Sequence, residues 1–90
     1  MLDLKYSSRF KKDLKYYKYE GKILIELGGV LNILVKGGVL PDKYFNRSFK
    51  GEFKDCFKCH VKPDVVLVYR IKKLEPNIFL LRVGSPSNVF

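Results

Sequence analysis

Ninety residues set the scale of one domain, here residues 1–90, with a core that must be compact and economical. A hydrophobic content of 47% excludes a disordered chain. Eighteen Lys+Arg against nine Asp+Glu leave a net charge of +9, a field that favours a polyanionic partner over a merely solubilising role.

The start, Met1-Leu2-Asp3-Leu4-Lys5, lacks the basic segment and apolar run of an export leader. Leu2 to Tyr6 alternates and predicts a short first strand. Ser7 or Ser8 can cap a following helix, because a hydroxyl satisfies a free amide of the first turn. Phe10, Leu14 and Tyr17 then share one helical face, and Lys11, Lys15 and Lys18 a neighbouring one. That lysine stripe reads equally as a solvated surface or as a polyanion contact. Glu20-Gly21 breaks the pattern, and Ile23, Leu27, Val30, Leu31 and Leu34 restart it on a second helix with a wide apolar face. Gly28-Gly29 in its middle predicts close packing against another element, since each glycine costs a helix roughly 1 kcal/mol. The stretch Ile23–Val35 contains Glu26 and Asn32 and is shorter than the ~20 residues a membrane span needs. Gly37-Gly38 ends the helix, and Pro41 prevents its resumption.

Four further strands are predicted: Phe49–Phe53, Cys56–Val61, Val65–Ile71 and Ile78–Val83, with turns near Lys54-Asp55 and at Glu75-Pro76-Asn77. Val65–Ile71 is almost continuously apolar and β-branched, as a central strand covered on both faces is. Strand, helix, helix and then a run of strands predicts an α+β fold with the helices packed on one antiparallel sheet.

Cys56-Phe57-Lys58-Cys59-His60 matches the haem-attachment pattern C-x-x-C-H. With no export leader seen, haem attachment is not expected, and both thiols are expected to stay reduced in the cytoplasm. A strand also sends Cys56 and Cys59 to opposite faces, and two thiols with one imidazole leave a zinc site short of a ligand, so no metal is expected. Cys59 falls on the buried side with Phe57 and Val61, and His60 on the other side with Lys58 and Cys56.

His60 is the sole histidine, a residue type suited to proton transfer at cellular pH, or it is a surface residue with no task at all. Asp64, after Pro63, reads either as a turn residue or as a carboxylate that orients His60. Arg47, Lys50, Lys54, Lys58, Lys62, Arg70 and Arg82 spread through the strand half. Arg82 interrupts an apolar strand, so it needs a fixed partner or a task. Tyr44, Phe45, Phe49 and Phe53 interleave with these cations, a mixture that suits stacked bases and neutralised phosphates, or core packing for most of the rings.

Leu40-Pro41, Tyr44, Gly51, Cys59-His60-Val61, Pro63-Asp64, Leu67-Val68-Tyr69, Arg82, Gly84-Ser85, Ser87 and Phe90 together resemble the YafQ branch of the RelE/ParE superfamily of toxin–antitoxin toxins. Phe10-Lys11-Lys12-Asp13-Leu14 resembles that family's first-helix pattern. The resemblance implies two N-terminal helices on a twisted, mainly antiparallel sheet of four to five strands. It also implies a toxin that cuts mRNA on the ribosome, without metal or other cofactor, and is neutralised by a cognate antitoxin. By motif position, His60 and Asp64 carry over as proton-handling residues, Arg82 as a phosphate stabiliser and Phe90 as an aromatic at the substrate. This chain departs from the pattern where Arg47 and Pro86 stand in place of family histidines and Phe57-Lys58 in place of Arg-Glu. Arg47 and Lys58 can stabilise a phosphorane by charge but are poor proton carriers at neutral pH. The resemblance therefore implies an endoribonuclease with an altered site, or a catalytically weak homologue that binds RNA or antitoxin.

Overall fold

The computed structural model describes residues 2–48, 55–71 and 76–89. Strand β1 (Asp3–Tyr6) leads into α1 (Ser8–Lys15) and α2 (Gly21–Val35). A single 3₁₀ turn (Asp42–Tyr44) precedes β2 (Arg47–Ser48), β3 (Cys56–Lys62), β4 (Val65–Ile71), β5 (Asn77–Gly84) and a one-turn helix, α3 (Pro86–Val89). The sheet order is β1-β5-β4-β3-β2, so β4 is central, as its apolar run predicts. All pairings are antiparallel except β1 on β5, which is parallel. The expected strand Phe49–Phe53 lies outside the described residues; β2, just before it, pairs with β3 through Arg47↔Lys58 and Ser48↔Phe57.

Local chemistry accounts for the helix ends. Ser7 Oγ accepts from the Phe10 amide at 2.9 Å, which makes Ser7 the cap, and its own hydroxyl donates to the Leu81 carbonyl at 2.8 Å. One serine thus starts α1 and ties it to β5. After Lys15 the amides of Tyr16 and Tyr17 turn back three residues, to Asp13 and Leu14, and the helix closes. Helix α2 ends in a full Schellman motif. The Gly38 amide bonds Ile33 O, the Gly37 amide bonds Leu34 O, and Gly37 takes φ +72°.

Phe10, Leu27, Val30 and Leu34 from the helices meet Cys59, Val61, Leu67, Tyr69, Ile78, Leu80 and Val83 from the sheet in one buried cluster. Tyr69 is 1% exposed, and its ring stacks on Phe57. Leu80 and Val83 are three residues apart yet both buried, which an ideal strand forbids. A register slip between β4 and β5 at Val68/Tyr69 resolves this: Tyr69 pairs with Leu80 but Val68 with Arg82, leaving Leu81 as the extra residue of a bulge.

The expected reason for Gly28-Gly29 is corrected. Both are exposed, and a β-carbon at either would meet no atom within 4 Å. Among the described residues no neighbour approaches them, and what remains is the helix penalty. Gly28→Ala is expected to stabilise the chain by about 0.5–1 kcal/mol, read as a higher urea midpoint at unchanged slope.

Candidate nucleic-acid interface

The strand register writes out the sheet face opposite the helices as rows. Arg47 pairs with Lys58, Lys58 with Val68, and Val68 with Arg82. One row across four strands therefore carries three cations. The next row is His60↔Val66↔Gly84, and on the other side lies Cys56↔Arg70↔Phe79. His60 sits two residues along β3 from Lys58, roughly 7 Å, and the Lys58 and Arg82 backbones are roughly 10 Å apart across two strand spacings. Alternation thus gathers Arg47, Lys58, His60, Arg70 and Arg82 on one face. A second bulge, between His60 and Lys62, bends β3 just past the histidine.

The cations differ in how they are held. Arg47 is exposed and donates to its neighbour's carbonyl, Asn46 O, at 3.0 Å. Arg70 lays its guanidinium 4.9 Å over the Phe79 ring, and its buried Nε makes no hydrogen bond. Arg82 is the most constrained. Its Nε and Nη2 reach both oxygens of Asp13, at 2.7 and 3.2 Å, and the Val83 amide donates to the same carboxylate at 3.2 Å. The hydrogen bond to Asp13 raises the guanidinium's affinity for its proton further. Asp13 can do this because β1 stops pairing at Leu80, which leaves the next stretch of β5 edge without a strand partner. The fixed partner that Arg82 required is therefore Asp13, 69 residues away.

His60 and Arg82 open into different clefts. A cleft of about 560 Å³ is lined by His60 with Glu26, Lys43, Tyr44, Phe45 and Lys62. The Phe45 ring meets the imidazole edge-on, centroids 6.1 Å apart and planes at 84°. Tyr44 donates its hydroxyl to Glu26, and Lys43 lies 3.6 Å from the same carboxylate. Tyr44's hydrogen bond, then the charges of Lys43 and Lys62, hold Glu26 below its ordinary carboxylate range. The other cleft, about 470 Å³, takes Arg82 with Arg9, Asp13, Tyr17 and Asn88. Tyr17 has its hydroxyl pushed up by burial first and then by the charges of Asp64, Asp13 and Glu20. Asp64 is thus exposed with its charge felt at Tyr17, and no hydrogen bond joins it to His60 among the described residues.

A model of the bacterial YafQ toxin of type II toxin–antitoxin systems matches residues 2–90. The chain belongs to the YafQ toxin family. It is 29% identical over 70 residues to the mRNA interferase toxin YafQ of Escherichia coli K12, covering 77% of this chain and 76% of that one. A metal-bound toxin from Helicobacter pylori superposes over the whole of both chains with TM-score 0.89 and 43% identity. YafQ in the E. coli DinJ–YafQ complex does so with TM-score 0.87 and 25% identity, over 100% of this chain and 99% of that one. The α+β fold with its helices on one sheet is therefore the YafQ fold.

Within that fold, the YafQ-like motif positions separate. His60, Lys58 and Arg47 stand together on adjoining rows; Arg82 completes the row but is turned to Asp13. Lys62 borders the His60 cleft. Lys50, Lys54 and Phe90 lie outside the described residues. Pro86 is the first residue of α3, where a missing amide costs nothing. Among the described residues no three His, Cys, Asp or Glu side chains come together, and no helix is long and apolar enough to cross a membrane. Burial pushes the Cys59 thiol up to about 12, so it stays protonated and unreactive. Iodoacetamide is expected to leave Cys59 unmodified in the native chain and to label it after unfolding, as peptide mass spectrometry reads.

Two residues of the site escaped the sequence reading in part. Asp13 had a signal: it is the lone acid among Arg9, Lys11, Lys12 and Lys15 of α1. Phe45 was one of four rings divided between stacking and core; Tyr44 is buried while Phe45 is 57% exposed.

Proposed function

We propose that this chain is a toxin that cuts mRNA on the ribosome, in the cytoplasm, from the sheet face that carries His60. The carrying observation is the placement of an imidazole one row from the Arg47–Lys58–Arg82 row in a chain of the YafQ family. Hydroxyl attack on a phosphodiester needs a proton taken, a proton given and negative charge absorbed. The RNA 2′-hydroxyl attacks the adjacent phosphorus, the bond to the 5′-oxygen breaks, and a 2′,3′-cyclic phosphate and a 5′-hydroxyl result. His60 takes the 2′-hydroxyl proton, solvent water supplies the proton that the leaving 5′-oxygen gains, and Arg47 and Lys58 hold the phosphate oxygens. Asp64, Arg82 and Phe90 belong to the same site by motif position, with Lys50, Lys54, Lys62 and Arg70 along the RNA. This chemistry asks for no metal ion. A net charge of +9 draws the chain to ribosomal RNA. An antitoxin neutralises it, on the pattern of the DinJ–YafQ complex.

A second reading is a binding module that holds RNA or antitoxin without efficient cutting. It is favoured by the commitment of Arg82 to Asp13, and by Arg47 and Pro86 at the positions of family histidines. Inducing the chain in a bacterial host and mapping mRNA 5′ ends separates the two. New ends inside translated frames are expected; growth arrest with no new ends selects the binding module.

A further inference from the structure

Phe45 stands in a conformation that a bulky side chain rarely takes. Its φ is 48° and ψ 47°, the left-handed region, which costs an aromatic residue strain unless its neighbours dictate it. They do. Tyr44, 6% exposed, is anchored through its hydroxyl to Glu26. Asn46 accepts a 2.7 Å hydrogen bond from the hydroxyl of buried Tyr69. The Phe45 amide is also tied to Asp42 O at 2.9 Å. Two anchored neighbours thus clamp one strained residue between them.

The clamp turns the Phe45 ring outward. A phenylalanine held for packing would be buried; this one is 57% exposed beside a cleft. Continuing the β2–β3 register back from Arg47↔Lys58 places Phe45 opposite His60, and the rings meet edge-on. With 57% of Phe45 exposed, ring surface remains open to another partner beside this T-shaped contact. Lys62 borders the same cleft and offers charge to a backbone phosphate, with Lys43 beside it shared with Glu26 at 3.6 Å. An exposed aromatic face flanked by cations, next to a proton carrier, is the equipment for one unstacked base.

We propose that Phe45 is a stacking platform that receives a single-stranded RNA base and sets the neighbouring phosphodiester against His60. The proposal deepens the nuclease reading above and rests on His60 as the working group. Phe45 positions the substrate and takes no part in proton transfer.

The test titrates a fluorescein-labelled single-stranded RNA hexanucleotide against the full chain and its Phe45→Ala, Phe45→Trp and Phe45→Gly variants. Thermal melts and mRNA cleavage are followed alongside. Phe45→Ala weakens binding roughly 5- to 150-fold, the range of one base–aromatic stack, and Phe45→Trp stays within about threefold of wild type. Phe45→Gly weakens binding as much as alanine does but melts no lower than wild type, since glycine relieves the positive φ. Unchanged binding by Phe45→Ala, or Phe45→Trp as weak as Phe45→Ala, overturns the platform. So does a Phe45→Gly variant that loses melting temperature together with affinity, which marks the ring as packing. If the wild type cuts no mRNA yet binding follows the ring, the nuclease reading falls and the base platform stands. If His60→Ala abolishes cutting while the Phe45 series binds and cuts alike, the platform alone falls.

Discussion

His60→Ala is expected to slow mRNA cleavage by about 10²- to 10⁴-fold, the usual contribution of one positioned acid–base group. The chain has no second histidine to take over. Its neighbours on the same face, Lys58 and Arg47, bring cationic side chains rather than a second imidazole. The substitution leaves the fold in place, because His60 is half-buried and its one aromatic contact among the described residues, Phe45, is itself exposed. Single-turnover cleavage of a ribosome-bound mRNA separates the step from product release and gives the ratio directly. Equal rates for His60→Ala and wild type would remove the histidine from the chemistry.

Asp13→Ala acts on stability instead. Asp13 accepts two hydrogen bonds from Arg82 and one from the Val83 amide, and its side chain is 13% exposed. An exposed ion pair contributes about 0–1 kcal/mol, but this one is bidentate, partly buried and shared with a strand edge. Removing the carboxylate strands a half-covered guanidinium and an orphan amide, at a cost of about 2–4 kcal/mol. For a domain of this size that lowers the melting temperature by about 10 °C or more. Arg82→Ala in the Asp13→Ala background should recover part of the loss, since no unpaired cation is left. A melt that shifts by only a degree or two would mean that the contact is a solvated surface pair.

What the sequence carried was local and periodic. Alternation along Cys56–Val61 sorts Cys59 and Val61 inward and Lys58 and His60 outward, and the structure agrees, with Cys59 and Val61 buried. Cys56, on the outward row, is also buried, since that side is not wholly wet. The β-branched run Val65–Ile71 is legible as central because both its faces must be covered, and it is the middle strand of five. What escaped depends on pairings between distant parts of the chain. The parallel seat of β1 on β5 joins the two ends of the sequence, and no periodicity announces it. Arg82 signals that it needs a partner but not which one, because Asp13 is chosen by where β1 stops. Gly28-Gly29 misled for the opposite reason: a glycine suggests close approach, and here nothing among the described residues approaches. The strain at Phe45 comes from anchors on either side of it, Glu26 and Tyr69, each remote in sequence.

The family is legible for a different reason. Motifs such as Cys59-His60, Pro63-Asp64 and Gly84-Ser85 are scattered in the sequence, and the sheet gathers only some of them. His60 pairs through Val66 with Gly84, whereas Asp64 is exposed and no hydrogen bond joins it to His60 among the described residues. Motif position therefore marks the family, and the sheet register shows which of those residues stand together.

The central claim is that the His60 face cuts RNA through the RNA's own 2′-hydroxyl. Its most direct measurement is the cleavage of a ribosome-bound mRNA by the wild-type chain, with the nucleotide at the cut carrying either its 2′-hydroxyl or a 2′-hydrogen. Cutting of the first and none of the second is expected. Equal cutting of both, or no cutting of the native message, would contradict it.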